Sequence, residues 1–173
     1  LTRKGATLSL PAALATLTTQ HGLEPGAAEN LVKYPHEQRA ATGALGLASD
    51  AQVLPSLRLA LQDQAWQVRE EAATTLGKVG HVDAGPALVQ ALGDDYWQVR
   101  LRATRSLGRL RYAPALDALI ETLGHRISNL RKEAALALGE LSDQRAIAAL
   151  QAAQDDGDPE VRKAVRIALS QLQ

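Results

Sequence analysis

The chain has 173 residues, of which 46% are apolar, but Phe, Met and Cys are absent and only 3% is aromatic. A core can be built only from Leu, Ala, Val and Ile, and disulfides and Cys-ligated zinc are excluded. Nineteen basic residues balance nineteen acidic ones, so bulk charge draws the chain neither to nucleic acid nor to anionic lipid.

In chain order, residues 8–20 read as a helix ended by His21-Gly22. Glu24-Pro25-Gly26 is a turn signal, and residues 27–33 read as a short helix. No run reaches the length of a membrane span, and the start lacks the sections of a signal peptide. Residue 1 is Leu, which leads us to expect a fragment of a longer protein. A cytoplasmic location is the working expectation.

From residue 35 a repeat takes over. Val68-Arg69 returns as Val99-Arg100, Leu130-Arg131 and Val161-Arg162, each 31 residues after the last. Leu76, Leu107, Leu138 and Leu169 keep the same register, and Gly77, Gly108 and Gly139 stand next to three of them. A period in this range signals stacked supersecondary units rather than a closed globule with one pocket.

Residues 84–92 read as a first helix, A, from the stripe Leu88, Ala91 and Leu92. Gly93-Asp94-Asp95 breaks it, with Asp available to cap the next helix. Residues 97–110 read as a second helix, B, with Val99, Ala103, Leu107 and Leu110 on one face. Helix A is expected again near 53–62, 114–123 and 145–153, and helix B at 66–79, 128–141 and 159–172. Ala41, Leu45 and Gly46 match Ala72, Leu76 and Gly77 one period earlier, which predicts a further B helix at about 35–47. The whole chain reads as one domain: residues 1–34 an irregular helical cap, residues 35–173 regular repeats. Arg162, Lys163 and Arg166 make the last B helix more polar, as suits a cap at the other end.

The run Ser142-Asp143-Gln144-Arg145-Ala146-Ile147-Ala148-Ala149-Leu150, then Asp158-Pro159-Glu160-Val161-Arg162-Lys163-Ala164, resembles the short HEAT repeats of the phycobilisome-lyase type. Leu76-Gly77-Lys78-Val79-Gly80 and Leu138-Gly139-Glu140-Leu141 resemble the end of that pattern, and the likeness spans residues 35–173. Two departures stand out: His125 where Asp63, Asp94 and Asp156 set the inter-helix position, and Ser170 in place of Gly. The resemblance implies an all-α, right-handed α-solenoid of about five helix pairs. It implies A helices on the convex side, B helices lining the concave side, and a binding scaffold rather than an enzyme.

Arg69, Arg100, Arg131 and Arg162 form a ladder that reads as structural, bonding to loop Asp residues and helix-end carbonyls, over an alternative reading as an anion-binding row. By analogy with the family, the B positions that vary while the frame does not should face the groove: Trp66, Gln67, Glu70, Thr74, Lys78, Trp97, Gln98, Leu101, Arg105, Arg109, Asn129 and Lys132. Trp66 and Trp97 are expected side by side, either as a binding hot spot or packed over the A–B turns. The arginines Arg100, Arg102, Arg105, Arg109 and Arg111, with Lys78 and Lys132, read as a positive strip or as a solvated face neutralised by Glu70, Glu71 and Glu133. We favour the second.

Catalytic and metal signals are poor. His21, His36, His81 and His125 are scattered without ligand spacing. The Asp155-Asp156-Gly157-Asp158 run lacks the remaining ligands of a calcium loop and reads as a polar turn. No cofactor is expected. The expected object is a monomeric, non-catalytic scaffold that binds another protein or peptide, acidic and helical, in the groove. Alternatives are part of a bilin lyase or isomerase assembly, or a nucleic-acid binder like the HEAT-like DNA glycosylases, against which the neutral charge argues.

Overall fold

The structure of the protein is a computed structural model that describes residues 35–47 and 53–173. The helices expected at 8–20 and 27–33 lie outside these residues. The described residues form nine α-helices: α1 (Pro35–Ala44), α2 (Leu54–Ala60), α3 (Trp66–Val79), α4 (Gly85–Ala91), α5 (Trp97–Leu110), α6 (Leu116–Leu123), α7 (Ser128–Leu141), α8 (Ile147–Ala152) and α9 (Pro159–Leu172). Helix α1 is a B helix, and the rest form four A–B pairs.

The B helices occupy the spans their periodicity predicts. The A helices differ. The predicted stretch at 84–92 is a 3-10 turn, Val82–Ala84, running into α4, and the same device opens α6 and α8 at Ala113–Ala115 and Gln144–Ala146. Side-chain capping at the turn explains two of them: the His81 ring and the Asp143 carboxylate each accept a bond from a backbone N–H two residues on.

Leucines fill the core in two rows. Leu57, Leu88, Leu119 and Leu150 come from the A helices and Leu76, Leu107 and Leu138 from the B helices, all fully buried. Each contributes about 1.5–3 kcal/mol through burial. Leu169 is half-buried against the same core.

Consecutive B helices pack along their length, whereas each A helix rests mainly on its own B helix. Glycine sets that spacing. A Cβ on Gly108 would lie 2.7 Å from the Ala137 Cα, and one on Gly139 would lie 2.9 Å from the Ala168 Cα. At Gly77 it would meet the Ser106 Cβ at 2.7 Å, and the Ser106 hydroxyl donates to the Ala73 carbonyl at 2.7 Å across the same contact. Between α2 and α4 of the A row lies an open cleft of about 370 Å³, lined by Arg58, Asp83 and Gln90 among others. The B helices therefore form the continuous, closely packed row of an α-solenoid.

Helices α3, α5 and α7 end in a left-handed residue: Gly80 (φ 74°), Arg111 (φ 48°) and Ser142 (φ 57°). They occupy one repeat position. Only the first is the residue type that takes this conformation without strain.

Candidate functional site

The arginine ladder runs along the edge of the A–B turns. Arg69 Nη1 donates to the carbonyls of Asp63 and Gln64 in its own turn, at 2.8 and 3.1 Å. Its Nε and Nη2 clasp the Asp94 carboxylate of the next turn at 2.6 and 2.9 Å. Arg131 repeats the plan with the His125 and Arg126 carbonyls and with Asp156 at 2.7 and 2.8 Å. Arg162 Nη1 bonds to the Asp156 and Gly157 carbonyls. The carbonyl acceptors belong to the turns, and not to helix ends as expected from sequence.

Arg100 departs from the plan. Nη1 donates to the Asp94 carbonyl at 3.1 Å, but its Nε is buried without a partner. The position that should supply the carboxylate is His125. Its Nδ1 accepts from the Ile127 N–H at 3.0 Å, the turn-closing bond that Asp94 makes with Tyr96 N–H at 2.9 Å. Histidine thus keeps the turn and loses the clasp, because a neutral ring nitrogen that accepts one bond has no second oxygen to offer. Burial, then Arg100, Arg126 and Arg131, hold the His125 ring below its ordinary pKa. Asp94 does not cap α5; its side chain closes the turn before the N-cap residue Tyr96.

Burial opposes the charge on Asp94, yet the Arg69 and Tyr96 hydrogen bonds outweigh it and leave the carboxyl below its usual range. At Asp156 the Arg131 hydrogen bond is the leading cause of the same shift. The partner arginines shift upward through those bonds.

On the B face several expected groove residues are committed elsewhere. Glu70 is buried, 8% exposed, between Arg102 at 3.1 Å and Arg39 at 3.5 Å. It links three successive B helices and is not a free acid. Arg105 is held by both oxygens of Glu133, at 2.8 and 2.7 Å, so it is no free cationic edge. The Thr74 hydroxyl donates to the Glu70 carbonyl, and the Gln98 Oε1 is buried without a partner. The neutralised reading of the arginine strip therefore describes Arg102 and Arg105. Lys78, Arg109 and Asn129 are exposed, while Gln67, Leu101 and Lys132 are half-buried.

The two tryptophans are half-buried and do not stack on each other. Trp66 stacks on Tyr96, centroids 5.4 Å apart and planes 12° apart. Arg69 lies over the same Tyr96 ring at 5.6 Å. Sequence reasoning misses Tyr96 because it stands just before the repeat register. Its neighbour Trp97, one period from Trp66, is the signal that could have found it.

Among the described residues no group of three His, Cys, Asp or Glu side chains is placed to hold a metal ion. No helix there is long and apolar enough to cross a membrane.

These stacked helix pairs define an α-solenoid built from short two-helix repeats. A HEAT-repeat family profile matches residues 33–107 and 85–170, which is more than half of the chain, and the chain belongs to that family. It is similar in structure to a chain in the complex of CpcE and CpcF of phycocyanin lyase from Nostoc sp. PCC7120, with a TM-score of 0.76, 24% identity, and coverage of 100% of this chain and 68% of that one. An engineered protein gives a TM-score of 0.63, 23% identity, and coverage of 99% and 93%. Human deoxyhypusine hydroxylase gives 0.60, 22% identity, and coverage of 98% and 81%. At these identities the likeness concerns the fold. No curated protein matches the chain in sequence.

Proposed function

We propose that the chain is a non-catalytic protein-interaction scaffold that holds a protein partner against the inner face of its B helices. The observation that carries this reading is the division of labour on that face. Gly77, Gly108 and Gly139, the leucine rows and the Glu70 and Glu133 ion pairs lock neighbouring helices. Among the described residues Lys78, Arg109 and Lys132 form no ion pair, and their positions vary along the repeats: Lys78, Arg109, Glu140 and Gln171 at one, Glu70, Leu101, Lys132 and Lys163 at the other. A rigid frame presenting variable, unengaged side chains suits recognition, since little ordering cost falls on binding.

The test is affinity capture of proteins by the parent chain and by the double variant Arg109→Glu with Lys132→Glu. The parent should retain a partner that the variant loses, with both melting alike. Identical retained proteins overturn the groove assignment.

A role within a bilin-lyase type of assembly is the second reading, supported by the structural likeness over the full chain to a chain in the CpcE–CpcF complex. Coloured bilin retained on the purified protein would favour it. Nucleic-acid binding is the weakest reading, because Arg102 and Arg105 are neutralised by Glu70 and Glu133. A salt-dependent gel shift would revive it.

A further inference from the structure

Three joints between successive B helices can be compared at two equivalent positions of the turn edge. Between α3 and α5, Asp94 clasps Arg69 and Tyr96 stacks on Trp66. Between α7 and α9, Asp156 clasps Arg131, and a hydrogen bond from Ser128 leads the causes that hold the Asp158 carboxyl below its usual range. The middle joint, between α5 and α7, has neither. His125 stands where the carboxylate belongs and Ile127 stands where the tyrosine belongs. Arg100 Nε is left buried and unpaired, and Trp97, half-buried, has no ring stacked on it among the described residues.

The two unfilled positions lie on one turn of α5, since Trp97 and Arg100 are three residues apart. Arg131 beside them is already matched by Asp156, whereas Arg100 and Arg126 form no ion pair among the described residues. Arg100, Arg126 and Arg131 all act on His125, and Arg126 is exposed. The nearest acid on the ladder, Asp94, is engaged by Arg69. An unpaired guanidinium costs stability that a carboxylate recovers. Arg100 Nε is sealed from solvent, so an incoming carboxylate would meet the guanidinium at Nη2, the other prong that Arg69 and Arg131 use.

We propose that this middle joint is a docking point for an acidic segment of a protein partner, whose carboxylate completes Arg100 while an adjacent apolar side chain covers Trp97. The partner thus supplies in trans what Asp94 and Tyr96 supply in cis one repeat earlier. The site lies on the turn edge and does not require the inner-face groove.

The test monitors backbone, tryptophan Nε1–H and arginine Nε–H resonances of the whole chain as two probes are titrated: N-acetyl-Leu-Glu-Leu amide and its Gln counterpart. The Glu peptide should shift the Arg100 Nε–H and Trp97 Nε1–H signals saturably, and bind at least tenfold more tightly than the Gln peptide. The variant His125→Asp supplies the missing carboxylate from within. It should raise the melting temperature by about 2–4 °C and weaken the Glu peptide at least tenfold. The groove variant Arg109→Glu with Lys132→Glu should leave the titration unchanged, so the two readings fail separately. Equal binding of the two peptides, no saturation with the parent chain, unaltered binding or melting in His125→Asp, or loss in the groove variant would each overturn the proposal. So would saturation by inorganic phosphate at the same concentrations without a Trp97 shift, which would mark a small-anion site.

Discussion

The joint between α3 and α5 and the joint between α5 and α7 share a backbone plan and differ at its edge. Both have a glycine at the helix contact, a fully buried leucine beside it and an arginine reaching back to its own turn. The first closes with a carboxylate clasp and a stacked aromatic pair. The second closes with a histidine that accepts one bond, and leaves a buried N–H without a partner. One period therefore specifies packing, while two side chains decide whether a joint is sealed. In a solenoid, where each repeat meets only its neighbours, such a local difference is not averaged away.

If the joints differ only at the edge, core substitutions should not tell them apart. Leu107→Ala and Leu138→Ala should each cost about 2–5 kcal/mol in urea melts, equally within error. A clear difference between them would move the weak joint into the core. The edge should separate them instead. Asp94→Ala strands the Arg69 guanidinium, whose side chain is 14% exposed, and should cost about 1–3 kcal/mol. Arg100→Ala, which breaks no clasp, should cost clearly less than Arg69→Ala. Parity between the two arginines would erase the difference between the joints.

A smaller effect concerns the end of α5. Arg111 takes the left-handed conformation that Gly80 takes at the equivalent position. Arg111→Gly should raise stability by about 0.5–1 kcal/mol, visible as a higher urea midpoint, and should leave both edges as they are.

Acid should give the smallest and most selective effect. Asp94 and Asp156 titrate below their usual values when folded. Their contribution is thus complete above the unfolded value of about 3.9 and is lost as pH falls through the lower folded values. Hydrogen exchange at decreasing pH should loosen the two clasped joints in that window. At the Arg100 edge the titrating group is His125, whose folded value lies below the ordinary one, so that edge should loosen earlier, as pH falls from the unfolded value of about 6.5.

Legibility from sequence differs by layer. The B-helix boundaries emerge from periodicity, because apolar spacing and the Gly-breaker turns are local properties. The A helices read one turn too regular, because His81 and Asp143 accept turn bonds that tighten the entry into a 3-10 turn. Of the expected groove set, Lys78, Arg109 and Asn129 are exposed. Glu70 and Arg105 are engaged in ion pairs that no single repeat shows, because their partners, Arg102 and Glu133, stand about one period away on neighbouring helices.

The repeat, the helix pairs and the leucine rows are implicit in the order of residues, since a 31-residue register of Val-Arg and Leu-Gly leaves one way for the apolar faces to be buried. His125 already stands out there as the odd residue in its column. What that oddity does emerges only in three dimensions. Whether an arginine is clasped, which ring faces Trp66, and which charges cancel depend on side chains 25 to 32 residues apart meeting across a joint. Those meetings are fixed by how closely glycine lets the B helices approach, and no single repeat contains that distance.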